Sequence, residues 1–121
     1  DILSHLTAVE AYGPPIDPSL AGSLYPMVAT AIRESGCVVE LNTSGYRKRP
    51  HGDDPFPNHR LLAELVSRRV PLTFGSDCHA PHEVGFGAER ILTALDQYGL
   101  KPDGVPYTVQ RGAVLTFTYV G

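Results

Sequence analysis

The chain has no tryptophan, one methionine and two cysteines, Cys37 and Cys78. Two thiols make no disulfide framework, so the fold must rest on an ordinary apolar core, and a reducing, cytoplasmic setting is the simpler expectation. Basic residues are also scarce. Ten Lys and Arg against thirteen Asp and Glu leave a net charge of −3. Without a cationic surplus, nucleic acid is unlikely as a general partner, and the run Arg47-Lys48-Arg49 is a local exception. No apolar stretch approaches the ~20 residues of a membrane span, so no membrane partner is expected, and no signal peptide opens the chain. A Gly-rich phosphate loop and a G-x-S-x-G element are both missing, which removes two common routes to nucleotide binding and serine hydrolysis.

What is present is globular. Hydrophobic residues make up 42% and charged residues 19% of 121 positions, the stock of one domain. The chain opens at Asp1 with Ile2-Leu3 as if already entering a strand, so a piece of a longer protein is expected.

Strand-like and helix-like segments alternate, which argues an α/β fold with parallel strands. Asp1 to Ser4 reads as a short strand ending at His5. Leu24, Met27, Val28, Ala31 and Ile32 recur at helical spacing, with Pro26 compatible only with a first turn and Gly36 as the stop. Cys37 to Leu41 is a second strand with Asn42 at its end. A long loop from Thr43 to Pro57 follows, and loops of that length are often functional. Asn58 caps a second helix with Leu61, Leu62, Leu65 and Val66 as its apolar stripe. Pro71 to Gly75 is a third strand. A third helix is expected over about Glu83 to Tyr98, with Ile91, Leu92 and Leu95 on one face, and Val114 to Val120 alternates as a final strand.

Polar residues gather at one kind of place. His5, Asn42, and Asp77 with His79 all stand where a strand gives way to a loop, and parallel sheets bind ligands at the carboxyl ends of their strands. If extended backbone continues past Phe74, Asp77 and His79 share a face and Cys78 points into the packing as a small apolar residue. A carboxylate and an imidazole together suit Zn, Mn or Fe. The competing reading has Asp77 capping the next segment and His79 bonded to backbone. His5 alone is weak and gains weight from the other strand ends. Arg47 can make a forked contact to phosphate or carboxylate. Lys48 is expected to be a solvated loop residue. Glu40 is either a buried acid supporting the site or a solvent-facing one. His51, His59 and His82 carry less weight.

The segments "ILSHL", "VVELNTSGYRK" and "LTFGSDCHAP", in that order, resemble the C-terminal half of a PHP-domain phosphoesterase, and the E-L-N-T-S-G-Y-R stretch is most similar to the histidinol phosphatases. The resemblance implies a partial, distorted (β/α)7 barrel of TIM-like kind, here about four strands with intervening helices, and places residues 1–121 as the C-terminal part of a single PHP-type domain. It implies two or three divalent metal ions (Zn, Mn or Fe) in the intact protein, with His5, Asp77 and His79 as ligands. Arg47 would hold the substrate phosphate, Asn42 and Glu40 would support ligand or substrate, and the nucleophile would be a metal-bound water, with none in the chain. The implied reaction is hydrolysis of L-histidinol phosphate to L-histidinol and phosphate, in histidine biosynthesis. Thr7 stands where an acidic residue commonly follows the family histidine. The alternatives are a related PHP phosphoesterase acting on nucleotides or nucleic-acid ends, and a truncated, non-catalytic PHP scaffold whose open edges would make it self-associate.

Overall fold

The computed structural model describes residues 1–48, 53–109 and 112–119, the stretch from Leu100 onward by its backbone. Arg49, His51 and Val120, which figured in the sequence reading, lie outside the described residues.

Five strands form one sheet in the order β1-β2-β3-β5-β4. Its parallel half is β1 (Ile2–Leu3), β2 (Val38–Asn42) and β3 (Leu72–Gly75). Ile2 pairs with Val38, and Val39 to Asn42 pair in step with Leu72 to Gly75. β5 (Gly112–Tyr119) runs antiparallel beside β3, and β4 (Leu100–Val109) pairs with β5 at the outer edge. The expected α/β class with parallel strands is therefore present, with one strand more than expected. β4 was unexpected because Pro102 and Pro106 interrupt it. Proline is tolerated on an edge strand, where one side of the ladder needs no N–H, and the pairing shifts register between those two residues.

Four α-helices complete the described residues: α1 (Pro18–Ser35), α2 (Gly45–Lys48), α3 (His59–Ser67) and α4 (Ala88–Asp96). Asp17 starts α1, its carboxylate accepting from Ser19 N–H at 2.9 Å and Leu20 N–H at 3.2 Å, and Pro18 takes the first position. Pro26 consequently lies inside the helix, not in its first turn.

The buried face of α1 is Ala21, Tyr25, Ala29 and Ile32, at i, i+4, i+8 and i+11. It packs with Leu61, Leu62 and Leu65 of α3, Ile91 and Leu95 of α4, and Val39, Leu41 and Leu72 of the sheet. Of the stripe expected from the sequence only Ile32 is buried; Leu24, Met27 and Val28 are exposed. Both faces of α1 carry apolar residues, and the small Ala21 and Ala29 permit the closer approach. α3 matches expectation, with Asn58 Oδ1 accepting from Leu61 N–H at 2.9 Å. α4 starts later than expected because Gly85 and Gly87 are left-handed, both at φ 72°.

With Val39, Leu41 and Leu72 against the helices, strand alternation turns Val38, Glu40, Asn42, Thr73 and Gly75 to the opposite face. That face carries the polar residues, while α1, α3 and α4 pack on the other.

Candidate functional site

His5 follows β1, Asn42 closes β2, and Asp77 comes two residues after β3. Parallel register brings all three to one rim. Asn42 Nδ2 lies 3.2 Å from His5 Nε2, and His5 Nε2 lies 3.5 Å from Asp77 Oδ2. The chain turns sharply at both outer members: His5 has φ 57° and Asp77 φ 49°. Left-handed backbone on non-glycine residues is held by its surroundings and gathers at functional sites.

The left-handed turn at Asp77 ends the extended run that the sequence suggested. Asp77 and His79 therefore do not share a strand face, and Cys78 is exposed instead of packed. His79 is exposed as well, and its Nδ1–H donates to Asp77 O at 2.9 Å.

Asn42 is almost fully buried, and its amide orientation is fixed from both ends. Oδ1 accepts from Ser44 N–H at 3.0 Å and Nδ2 donates to Glu40 Oε1 at 2.8 Å. The same amide nitrogen also faces His5 Nε2 at 3.2 Å. Glu40 is thus the far end of a chain of contacts, Glu40–Asn42–His5. Gly75, opposite Asn42 on β3, leaves the space that the Glu40 carboxylate fills.

The expected long loop is shorter in effect than in sequence. Asn42 N donates to Phe56 O at 2.7 Å and Phe56 N to Asn42 O at 2.9 Å, so the chain returns to the strand end it left. Gly45 is required there, because a Cβ would meet Asp54 O at 2.6 Å. Inside the loop, α2 directs two cations at the Asp77 turn. Arg47 donates from Nη1 to Ser76 O at 3.1 Å and from Nη2 to Asp77 O at 2.8 Å, lies 3.4 Å from Glu83 Oε2, and stacks 5.3 Å over Phe86. Lys48 Nζ is paired directly with Asp77 Oδ2. Lys48 is therefore not the solvated residue expected: its side chain is 31% exposed and that of Asp77 20%.

The Lys48 hydrogen bond holds the Asp77 carboxyl below its usual range, with Coulombic help from Lys48 and His5. Glu83 is also held down, first by the His79 N–H that it accepts at 2.7 Å and then by Arg47.

A second network ties the loop after β1 to α3. Asn58 N–H donates to Thr7 Oγ1 at 3.0 Å, and Asn58 Nδ2 donates to Glu10 Oε1 at 2.7 Å and to Tyr25 Oη at 2.9 Å. Thr7 thereby anchors the His5 loop where an acid was missed. His59 pairs with Asp54 at 3.4 Å, and His82 is exposed on the turn Pro81–Glu83.

Sequence reasoning did not find Lys48, Glu83 or the Glu10–Asn58 pair. The Arg47-Lys48 doublet beside a strand end was the only signal for Lys48, and nothing local marks a contact across 48 residues such as Glu10–Asn58.

The donor set bears on metal binding. Two ligands each ~2.1 Å from one tetrahedral ion stand about 3.4 Å apart, close to the 3.5 Å between His5 Nε2 and Asp77 Oδ2. An imidazole and a carboxylate at that spacing fit two positions of a Zn or Mn shell. His79 is not gathered with them: among the described residues, no three His, Cys, Asp or Glu side chains form a group that could hold a metal ion. No described helix is long and apolar enough to cross a membrane.

No protein-family model matches the chain. It is similar to three curated proteins. It is 31% identical to the histidinol-phosphatase of Bacillus subtilis (strain 168), over 74% of this chain and 34% of the relative. Identity is 35% to a probable histidinol-phosphatase of Schizosaccharomyces pombe, over 54% of this chain and 21% of the relative. It is 33% to a probable histidinol-phosphatase of Deinococcus radiodurans, over 71% of this chain and 31% of the relative. The chain is thus histidinol-phosphatase-like over most of its length and spans about a third or less of the length of these relatives.

Proposed function

We propose that the intact protein is a metal-dependent phosphomonoester hydrolase that converts L-histidinol phosphate to L-histidinol and phosphate, and that the rim of β1, β2 and β3 carries part of its site. The observation that carries this reading is the convergence of His5 and Asp77 at 3.5 Å from two different strand ends. Similarity to three proteins named histidinol-phosphatases or probable histidinol-phosphatases supports the substrate class. The barrel of the PHP phosphoesterases remains the architecture proposed for the whole protein, with β1 to β3 as part of its wall.

In this reading His5 and Asp77 hold a divalent ion, and His79 belongs to the same ligand set with Nε2 as its donor. Bound ions supply charge that lowers the pKa of water and neutralises the phosphoryl oxygens. The protein's own residues do the positioning. Asn42, oriented by Glu40 and Ser44, sets its amide against the His5 ring and holds that ring in place. Arg47 holds the Asp77 turn by its carbonyls, and a guanidinium with five N–H groups retains donors for a substrate oxygen.

The test is phosphate release from L-histidinol phosphate and from nucleoside monophosphates by the intact protein, with His5→Ala and Asp77→Asn variants alongside. Expected is a preference for histidinol phosphate and a loss of about 100-fold or more in either variant, the scale seen when one preorganised electrostatic group is removed. Preference for nucleotides would overturn the substrate, and full activity in both variants would overturn the site.

A further inference from the structure

The phenol of Tyr46 is an orphan. Tyr46 is 7% exposed, and its Oη has no hydrogen-bond partner among the described residues, although a buried tyrosine hydroxyl ordinarily finds one. Among those residues, the one side-chain polar atom that is both sealed from solvent and unpaired is Ser44 Oγ. Tyr46 Oη therefore has an opening, and the opening is a groove of about 530 Å³ that Tyr46 helps to line. That volume lies in the range of small-molecule sites. Burial raises the Tyr46 pKa, so the phenol keeps a proton to donate at neutral pH.

One face of α4 makes a wall of the groove, with Glu89 and Thr93 one turn apart and Gln97 a turn further on. Asp53 joins from the loop and His59 from the start of α3. None of these residues belongs to the rim of His5, Asn42 and Asp77. The cations of the lining are engaged: Arg90 lies 3.9 Å over the Tyr46 ring, and His59 is paired with Asp54 at 3.4 Å. The carboxylates of Asp53 and Glu89 have no partner among the described residues. Thr93 Oγ1 donates to Glu89 O at 2.9 Å, which leaves its lone pairs to accept. The charge left over in the groove is thus negative, and it stands beside an unpaired phenol.

We infer that this groove binds a small amino alcohol, whose ammonium meets Asp53 and Glu89 and whose hydroxyl bonds Tyr46 Oη. An ammonium can only donate and would leave the phenol proton without an acceptor; a hydroxyl beside it supplies one. A phosphate dianion in the same place would face two carboxylates. The identity of the ligand rests on the reading above: L-histidinol, the product, is an amino alcohol, and its phosphate ester has lost the free hydroxyl and gained the wrong charge. The groove would then take product and refuse substrate, away from the rim where the ester is cleaved.

Ring ¹³C labelling of tyrosine gives signals from six residues, and a Tyr46→Phe variant assigns those of Tyr46. L-histidinol, histamine, which lacks the hydroxymethyl group, and L-histidinol phosphate are titrated separately. Expected is a saturable shift of the Tyr46 ring with L-histidinol. Binding followed by calorimetry should weaken about two- to tenfold in Tyr46→Phe, the worth of one neutral hydrogen bond. It should weaken about fivefold or more when Asp53→Asn and Glu89→Gln are combined, both being exposed carboxylates outside the core. Histamine should bind about two- to tenfold more weakly than L-histidinol, and the phosphate ester about tenfold or more. An unmoved Tyr46 ring, or binding undiminished in the double variant, overturns the inference, and so does a phosphate ester that binds the groove as tightly as L-histidinol. Histamine equal to L-histidinol overturns the amino-alcohol class. Binding is read without turnover, so a protein that takes L-histidinol here and does not hydrolyse its phosphate ester overturns the phosphatase reading alone.

Discussion

The carboxylate of Glu40 lies over Gly75, a residue whose own backbone needs no glycine. A Cβ built on Gly75 would stand 2.7 Å from Glu40 Cδ, while its φ is not among the left-handed ones. The glycine is there for clearance, and what it clears is the group that orients Asn42 and, through it, His5.

Gly75→Ala should therefore act at a distance. The clash is with the far end of a flexible side chain that can swing aside, so the cost is at the low end of overpacking, about 1 kcal/mol, read as a lower midpoint in urea. The specific consequence is loss of the Glu40–Asn42 bond, which ¹⁵N-edited spectra of the Asn42 side-chain amide would show. Glu40→Ala combined with Gly75→Ala should recover most of the stability without recovering the Asn42 amide position. A double variant no more stable than Gly75→Ala would show that the clash lies elsewhere.

Lys48→Met should destabilise the chain in a pH-dependent way. Asp77 has its carboxyl pKa lowered from an ordinary 3.8, with the Lys48 hydrogen bond as first cause. A depressed folded-state pKa stabilises above the unfolded value and stops doing so as pH falls through the folded one. The deficit of the variant should be at most ~1 kcal/mol at pH 7 and vanish at an acid pH below the lowered folded-state value. Urea melts at the two pH values check it, and an equal deficit at both would mean that packing, not charge, is lost.

Arg47→Lys should not substitute for Arg47. The guanidinium reaches Ser76 O and Asp77 O at once, and an ammonium offers no fork. Loss of charge-assisted hydrogen bonds of this kind costs about 1.5–3 kcal/mol. Hydrogen exchange should quicken most at the His79 amide, whose acceptor Glu83 is also an Arg47 partner. Unchanged exchange there in Arg47→Lys would remove the clamp assignment.

Asn58→Asp separates the two duties of Asn58. The variant keeps a helix cap, which a carboxylate serves as well as an amide. It replaces the donor that Glu10 Oε1 receives at 2.7 Å with a second carboxylate in a buried site. Loss of about 2–4 kcal/mol is expected at pH 7, from the missing bond and the like charges, and part of it should return at pH 4. Thermal unfolding at both pH values decides, and a variant as stable as the parent would reduce Asn58 to a cap.

The sequence announced the helix α3 well, because Asn58 and the leucines behind it are local signals that no distant contact contradicts. It also placed His5, Asn42 and Asp77 at strand ends, since strands of apolar residues closed by polar ones are visible without a structure. It misplaced the inner face of α1, where Ala21 and Ala29 are buried and Met27 is not. Residue size argued the wrong way there, because the helix lies close to its neighbours and alanine permits that. The turn at Asp77 was illegible for a different reason: its left-handed backbone is held by Arg47, thirty residues earlier. Contacts of that span leave no trace in local periodicity.

The two thiols stand at opposite ends of the parallel strands. Cys37 comes just before β2 begins and is half-buried, while Cys78 follows Asp77 beyond the exit of β3 and is exposed. The chain thus carries its own pair of addressable handles, one on each rim of the sheet. A mild thiol reagent should find Cys78 first, and a reporter attached there would sit next to the carboxylate that pairs with Lys48 while Cys37 serves as the distant, slower reference.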